Sequence, residues 1–134
     1  RIKEICSNNS TIKLLGYVDE IEKTWLFLNA HAFVSPSCVE GFGIPVLDAY
    51  ILGLNVLASN IPSHKEIASI PAVDRNLNLL GLNNVDSWIS ALRDIDSDEK
   101  ITTFLKRKRI SNFEISFHNL SKAFDKKLVE LMTE

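Results

Sequence analysis

The chain has 134 residues, of which 46% are hydrophobic and 24% are charged, and its formal net charge at pH 7 is −2. This length suits one domain with a real hydrophobic core, and the composition is that of an ordinary globular protein rather than a disordered chain. The slightly negative charge argues against a general nucleic-acid binder, and no apolar run reaches the length of a membrane span.

The cysteines, the histidines and the N-terminal residues indicate the cellular compartment, the absence of a metal site and whether the chain is a fragment. Cys6 and Cys38 are far apart and have no histidine beside them, so we interpret them as reduced thiols of a cytoplasmic protein. The histidines have no metal-binding spacing, so no metal site is predicted. The sequence starts at Arg1 within a helical pattern and has no signal peptide, so we expect a fragment of a longer cytoplasmic protein.

The N-terminal part of the chain predicts a helix, a strand and a second helix. Residues 1–6 have the pattern of the end of a helix. Residues 11–15, TIKLL, have the composition of a short strand, and Gly16 ends it. Asp19, with Glu22 three residues later, predicts a capping box at the start of the next helix.

The second helix has an apolar face. Ile21, Trp25 and Leu28 recur at helical spacing, so we expect them to face the core. Trp88 lies on a similar apolar face further along the chain, and it is assigned to the core for the same reason.

The middle of the chain predicts a strand, a glycine loop, a helix and another strand. The apolar run 32–34 has the length of a short buried strand, and residues 56–59 form a second such run. Between them, Pro45 suits the first turn of a helix, where its missing N–H needs no partner. Gly53 suits the end of that helix, where a left-handed residue is often required.

The loop before this helix has the sequence EGFG. A helix N-terminus presents free N–H groups and the positive end of the helix dipole, which together favour an anion. Gly41 and Gly43 have no β-carbon, so a diphosphate can approach the main chain closely. Glu40 and Asp48 are eight residues apart, which does not make a metal site, but both carboxylates can accept hydrogen bonds from the hydroxyls of a sugar.

The rest of the chain continues the alternation of strands and helices. A short helix starts at Pro62, residues 76–80 predict a weak final strand, and residues 86–95 predict an amphipathic helix. Residues 97–99 predict the cap of a further helix, and residues 117–131 predict a terminal one. This order predicts an α/β fold with a parallel sheet and helices on both faces.

Two polar features receive plain structural interpretations. His64 is interpreted as a solvated side chain, with a position facing the cleft as the alternative. The basic run 106–109, KRKR, is interpreted as a solvated face at a helix end, where cations are favoured by the dipole. Contact of this run with anionic lipid is left open as an alternative.

Residues 35–59 resemble the signature of the retaining nucleotide-sugar glycosyltransferases of family 4, group 1. In that family P-S-x-x-E-G-F-G-x-P-x-x-E-A precedes a G-x-P-V-x-x-S turn, and here PSCVEGFGIPVLDA precedes GLNVLAS. Residues 14–18, LLGYV, resemble the family's strand and G-[YF]-V loop, and residues 61–67 resemble its loop ending in Glu-Ile. One departure matters for the site, because Asp48 stands where the family usually has Glu.

The resemblance implies the GT-B fold, in which two Rossmann-like domains form a cleft and the C-terminal one binds most of the donor. It implies that residues 1–134 form a single nucleotide-sugar-binding domain. This domain would lack its own first strand, with the cationic side chains that follow it, and the acceptor-binding partner domain. The fragment alone is therefore expected to be inactive.

The resemblance also implies a reaction and the roles of individual residues. A sugar would pass from a nucleoside diphosphate sugar to a hydroxyl of an acceptor such as a glycan, with retention of configuration, in polysaccharide or glycoconjugate biosynthesis. No cofactor and no metal would be needed. Glu40 would act beside the anomeric centre, Asp48 would bind the ribose, and further donor contacts would come from Gly41, Phe42, Gly43, Ile44, Tyr17 and Val18.

Two other functions remain open at this point. One is a non-catalytic Rossmann-like domain for nucleotide binding or assembly, which the substitution at Asp48 keeps open. The other is a different GT-B enzyme, either a nucleotide-sugar epimerase or a sugar phosphorylase, although no lysine context for pyridoxal phosphate is visible. No nucleic-acid partner is expected, and peripheral membrane association of the longer protein is left open.

Overall fold

The computed structural model describes residues 2–71, 76–95 and 103–133. In these residues helices alternate with the strands of a parallel sheet, which is an α/β fold. The cap expected at 97–99 lies outside the described residues. In chain order the elements are α1 (Ile2–Ser7), α2 (Glu20–Asn29), β1 (Ala32–Ser35), α3 (Ile44–Ile51), β2 (Asn55–Ser59), α4 (Pro62–Ser69), β3 (Leu77–Leu80), α5 (Val85–Arg93) and α6 (Thr103–Thr133).

The sheet has the order β1-β2-β3, and all of its pairs are parallel. Phe33 pairs with Val56, and Ala58 pairs with Leu79. The central strand β2 is buried along most of its length, as expected of a strand with a neighbour on each side. The strands predicted at 32–34, 56–59 and 76–80 are confirmed.

The core lies where α3 packs against β1 and β2. Val46, Ala49 and Tyr50 of α3 are almost completely buried, because helical spacing places them on the side that faces the sheet. Pro45 lies in the first turn of α3, and Gly53 follows the helix with φ of 78°, as predicted. This left-handed turn brings the chain straight back into β2.

The capping box of α2 is confirmed. The Asp19 side chain accepts a hydrogen bond from the backbone N–H of Glu22 at 2.8 Å, and the Glu22 carboxylate accepts one from the N–H of Asp19 at 3.0 Å. Two N–H groups that the helix itself cannot pair are thereby satisfied. The sequence signature therefore placed the start of α2 correctly.

The strand predicted at residues 11–15 is wrong. This segment has no regular secondary structure, and it pairs with none of the strands in the described parts of the chain. The side chains of Ile12, Leu14 and Leu15 are exposed. A strand acquires its hydrogen bonds from a neighbour, and composition alone supplies no neighbour.

The apolar face assigned to α2 is also wrong in part. Trp25 and Ile21 are 62% and 81% exposed, and the buried side chain of this helix is Phe27. Phe27 makes an edge-to-face contact with Phe33 of β1, with the ring centroids 5.3 Å apart. Burying Phe27 turns the opposite side of the helix, which carries Trp25, toward solvent. Trp88 is half-buried on α5 rather than in the core.

The C-terminal helix differs from expectation at its start. A separate helix was predicted before the terminal one, but α6 runs without a break from Thr103 to Thr133, a stretch that contains neither Gly nor Pro. The basic run 106–109 therefore lies near the beginning of α6. Among the described residues, no helix combines the length and the apolar character that a membrane span requires.

The basic run is not a uniformly solvated face. Arg109 is 5% exposed, and its Nη1 donates to the carbonyl oxygens of Phe27 at 3.1 Å and Leu28 at 2.8 Å. These carbonyls belong to the last turn of α2, where helix geometry leaves them without intrahelical partners. Arg109 therefore ties α6 to the end of α2.

Candidate functional site

The loop after β1 and the start of α4 form one cavity. In a parallel sheet the carboxyl ends of adjacent strands meet at the same edge, so the connections that leave β1 and β2 lie side by side. The cavity between them has a volume of about 380 Å³. It is lined by Cys38, Val39, Glu40 and Gly41 of the loop and by Ile61, Pro62, Ser63 and Glu66.

Glu40 is held from both of its carboxylate oxygens. Its side chain is 23% exposed, so it remains accessible from the cavity. Ser35 donates a hydrogen bond to Oε1 at 3.3 Å, and Nε2 of His64 lies 3.5 Å from Oε2. A hydrogen bond from Ser37 lowers the pKa of Glu40, and the nearby His64 lowers this pKa further. The carboxylate is therefore favoured in its charged form.

His64 is not solvated, contrary to the first interpretation. Its side chain is completely buried, and Nδ1 lies 2.8 Å from the carbonyl oxygen of Ser59 at the end of β2. The alternative, a position facing the cleft, does not hold either, because the buried side chain is not among the residues that line the Glu40 cavity, and its Nε2 instead faces Glu40. The spacing of the sequence could have indicated this burial, because Ile61 and Ile67 stand three residues before and after His64 and share its face of α4.

The two glycines of the loop serve different purposes. Gly43 has φ of +87°, and a β-carbon there would lie 2.8 Å from Oε2 of Glu40 and 3.3 Å from His64. Gly43 is thus required by the fold and by the packing around Glu40. At Gly41 a β-carbon would have no heavy atom within 4 Å, so this position borders open space.

The remaining residues of the loop form the start of α3. Gly43 is the N-cap of this helix and contributes no side-chain hydrogen bond, so the helix begins without a side-chain cap. Phe42 is 41% exposed and Ile44 is 60% exposed. Both are therefore at the surface beside the helix N-terminus, and Phe42 is not a core residue.

Asp48 lies in a different place from Glu40. Its Oδ2 pairs with Nζ of Lys23 at 3.1 Å, and the same ammonium group lies 2.6 Å from Glu20. The hydrogen bond with Glu20, followed by that with Asp48, raises the pKa of Lys23. Asp48 lines a cavity of about 340 Å³ between α2, α3 and α6, which shares no residue with the Glu40 cavity.

The sequence did not indicate that Lys23 is a neighbour of Asp48. It stands 25 residues before Asp48, on another helix, and only the packing of α2 beside α3 brings the two together. Local spacing rules connect residues three or four apart on one helix, so they point to Glu20 and not to Asp48.

Tyr17 and Val18 lie at a third position. Tyr17 is 94% exposed, and both residues border a cavity of about 410 Å³ whose wall includes Trp25. The structure thus brings Glu40 and Gly41 together in one cavity but leaves Asp48 and the pair Tyr17 and Val18 in others. Their assignment to a donor site stays a prediction.

Possible metal ligands are dispersed in the described part of the chain. Across residues 2–71, 76–95 and 103–133, no three His, Cys, Asp or Glu side chains are grouped as a metal ion would need. The expectation that no metal is used stays a prediction.

Comparison with known proteins identifies the family. Residues 2–113 match the family model described as "Glycosyl transferases group 1". The chain is 43% identical over 56 residues to the O-antigen chain mannosyltransferase B of Escherichia coli, a segment that covers 42% of this chain and 15% of that protein. It is 35% identical over 71 residues to the O-antigen chain mannosyltransferase RfbU of Salmonella typhimurium, covering 53% of this chain and 19% of that protein.

The chain spans less than a fifth of the length of these curated relatives over the matched segments. No solved structure matches it. The family match covers most of the chain, including all three strands and the loop that carries Glu40. The resemblance of residues 35–59 is therefore confirmed, and the chain belongs to the glycosyl transferases of group 1.

Proposed function

We propose that this chain is the donor-binding part of a retaining glycosyltransferase. The enzyme transfers a sugar from a nucleoside diphosphate sugar to a hydroxyl group of an acceptor, and the product belongs to a polysaccharide or glycoconjugate. Membership of the group 1 family supports the reaction class. The names of the two O-antigen mannosyltransferases support mannose as the sugar and a polysaccharide as the acceptor.

The observation that carries this proposal is the position of Glu40. Its carboxylate is oriented by Ser35 and His64, remains accessible, and stands in a cavity beside the N-terminus of α3. A carboxylate there stabilises the positive charge that develops at the anomeric carbon when the leaving diphosphate departs. The uncapped start of α3 and the open space at Gly41 suit that diphosphate.

A substitution of Glu40 tests the proposal in the longer protein that contains this chain. Glu40→Gln keeps the size of the side chain but removes its charge, so we expect turnover to fall more than affinity for the donor. Steady-state kinetics with a panel of nucleoside diphosphate sugars, mannose donors included, measures both quantities. An unchanged turnover number would remove Glu40 from the reaction, and absence of transfer from every donor would contradict the proposed function.

A specific observation favours a second candidate, a nucleotide-binding domain without catalysis. Asp48 is already engaged by Lys23, and it is shorter than the Glu of the family pattern. A domain that has lost its chemistry would bind nucleoside diphosphate but would transfer no sugar, with or without the Glu40→Gln substitution. The same kinetic measurements therefore separate the two candidates.

A further inference from the structure

His64 makes contacts that determine where its protons lie. Nδ1 lies 2.8 Å from the carbonyl oxygen of Ser59 and 3.3 Å from the Oγ of the same residue. Ser59 has one hydroxyl proton, and it is donated to the carbonyl oxygen of Ser37. Both oxygens that face Nδ1 can therefore only accept, so Nδ1 carries a proton.

The other ring nitrogen is buried against Glu40. Nε2 has no hydrogen-bond partner within normal distance, and Oε2 of Glu40 lies 3.5 Å away. A bare Nε2 would turn its lone pair toward a carboxylate and leave a buried polar atom unsatisfied, which costs free energy. A proton on Nε2 instead places a positive imidazolium 3.5 Å from that carboxylate, which is an attractive ion-pair contact.

We propose that His64 carries a proton at Nε2, forms an ion pair with Oε2 of Glu40 across 3.5 Å, and thereby positions this carboxylate. The assignment rests on the proposed function, because positioning matters only if Glu40 acts on the donor. With Ser35 on Oε1 and His64 on Oε2, rotation of the carboxylate about its last bond is restrained. Gly43 leaves room for the pair, since a β-carbon there would lie 2.8 Å from Oε2.

His64 acts through Glu40 and is a positioning residue. It is completely buried behind the cavity and is not among the residues that line it. Its loss would let the carboxylate turn away from the reacting carbon without removing any contact to the nucleotide. We therefore expect its substitution to lower the turnover number and to leave donor affinity largely unchanged.

The proton can be observed without any assay of transfer. In the ¹⁵N-labelled chain at neutral pH, we expect both ring nitrogens of His64 to show the chemical shifts of protonated nitrogens. In Glu40→Gln the side-chain amide can donate to Nε2, so this nitrogen should move to the shift of a bare nitrogen. His118, which is exposed on α6, is the control whose shifts should not respond. A bare Nε2 in the unsubstituted chain would overturn the proposal.

Two substitutions of His64 then test its effect on catalysis in the longer protein. His64→Asn places an amide nitrogen near the position of Nδ1 and keeps the bond to Ser59, while His64→Gln places one near Nε2 and keeps a donor to Glu40. We expect the Asn variant to lose about tenfold or more in turnover number and the Gln variant to retain most of it. Equal losses in both variants, or a loss confined to donor affinity, would contradict positioning. If the unsubstituted protein transfers no sugar, the proposed function is wrong. The nitrogen chemical shifts still test the proton on Nε2 independently of that result.

Discussion

At the scale of single residues, the two glycines of the loop provide a matched pair. Gly43→Ala should lower the free energy of unfolding by about 1–2 kcal/mol, because a side chain is disfavoured at its left-handed φ and its β-carbon would crowd Glu40. Gly41→Ala should change stability by less than about 0.5 kcal/mol, because its β-carbon meets open space. Urea denaturation of both variants measures the difference.

The Gly41→Ala variant also tests where the diphosphate lies. If it approaches the loop at Gly41, Gly41→Ala should weaken nucleoside diphosphate binding while leaving the fold intact. Isothermal titration of the longer protein measures the affinity. Equal affinity in the Gly41→Ala variant and the unsubstituted protein would mean that the loop does not hold the diphosphate at that point.

The charge of Glu40 predicts a pH dependence of stability. Its pKa in the folded chain lies below the usual value of 4.5, chiefly because of Ser37. Its ionisation therefore contributes stability that is fully present above pH 4.5 and is lost as the pH falls through the lowered pKa. The stability deficit of Glu40→Gln should accordingly be largest at neutral pH and shrink in acid.

Urea denaturation of Glu40→Gln across this pH range is the measurement. Glu114→Gln, on the exposed side of α6, is a control in which little change is expected at any pH. A deficit of Glu40→Gln that stays constant down to strongly acid pH would show that the carboxylate charge does not contribute to stability.

Asp48 has two possible roles, binding of the ribose and the ion pair with Lys23, and separate variants distinguish them. If it binds the ribose, Asp48→Asn should weaken nucleoside diphosphate affinity by about 1–3 kcal/mol, the range for a lost charged hydrogen bond. Asp48→Glu should hold or improve affinity, because it restores the acid of the family pattern. Lys23→Met breaks the ion pair but keeps the carboxylate, so it should affect affinity much less. Titration of the three variants decides, and equal losses from Asp48→Asn and Lys23→Met would assign the effect to the ion pair.

At the scale of elements, Arg109 joins two helices that are far apart in the sequence. It donates two hydrogen bonds to the last turn of α2, and it is buried. Arg109→Met should lower the free energy of unfolding by about 1.5–3 kcal/mol, because it leaves buried carbonyls without their charged donor. Arg107→Met, at an exposed position of the same helix, is the control and should have little effect. Similar urea midpoints for the two variants would contradict this role.

Elements defined by local chemistry were predictable from the sequence. The capping box of α2, the Pro45 start of α3 and the Gly53 turn each depend on residues a few positions apart, and the structure has all of them. The strands β1 and β2 were predictable because continuous apolar runs of that length are typical of buried parallel strands.

Features that depend on distant partners were not predictable. Residues 11–15 have the composition of a strand but no paired neighbour in the described chain. The burial of Arg109 and the pairing of Lys23 with Asp48 arise only when separate elements pack together. The sequence assigned Glu40 to the sugar and Asp48 to the ribose of one donor. The structure has the two acids in separate cavities, and their shared donor site stays a prediction.

At the scale of the whole molecule, the chain presents an apolar surface on its N-terminal part. Leu15, Tyr17, Ile21 and Trp25 are all more than half exposed and lie around one cavity. The cavities that carry Glu40, Asp48 and Tyr17 are all open to solvent in this chain.

This openness predicts how residues 1–134 behave alone. Transfer requires donor and acceptor to be held together with water excluded, and the described part of the chain supplies the Glu40 carboxylate, the loop and the N-terminus of α3. We expect weak binding of nucleoside diphosphate and no measurable transfer from a labelled sugar donor to an acceptor glycan. The longer protein should both bind and transfer, and titration beside a labelled-product assay measures the two properties. Repeated turnover by residues 1–134 alone would mean that the catalytic constellation is already complete around Glu40.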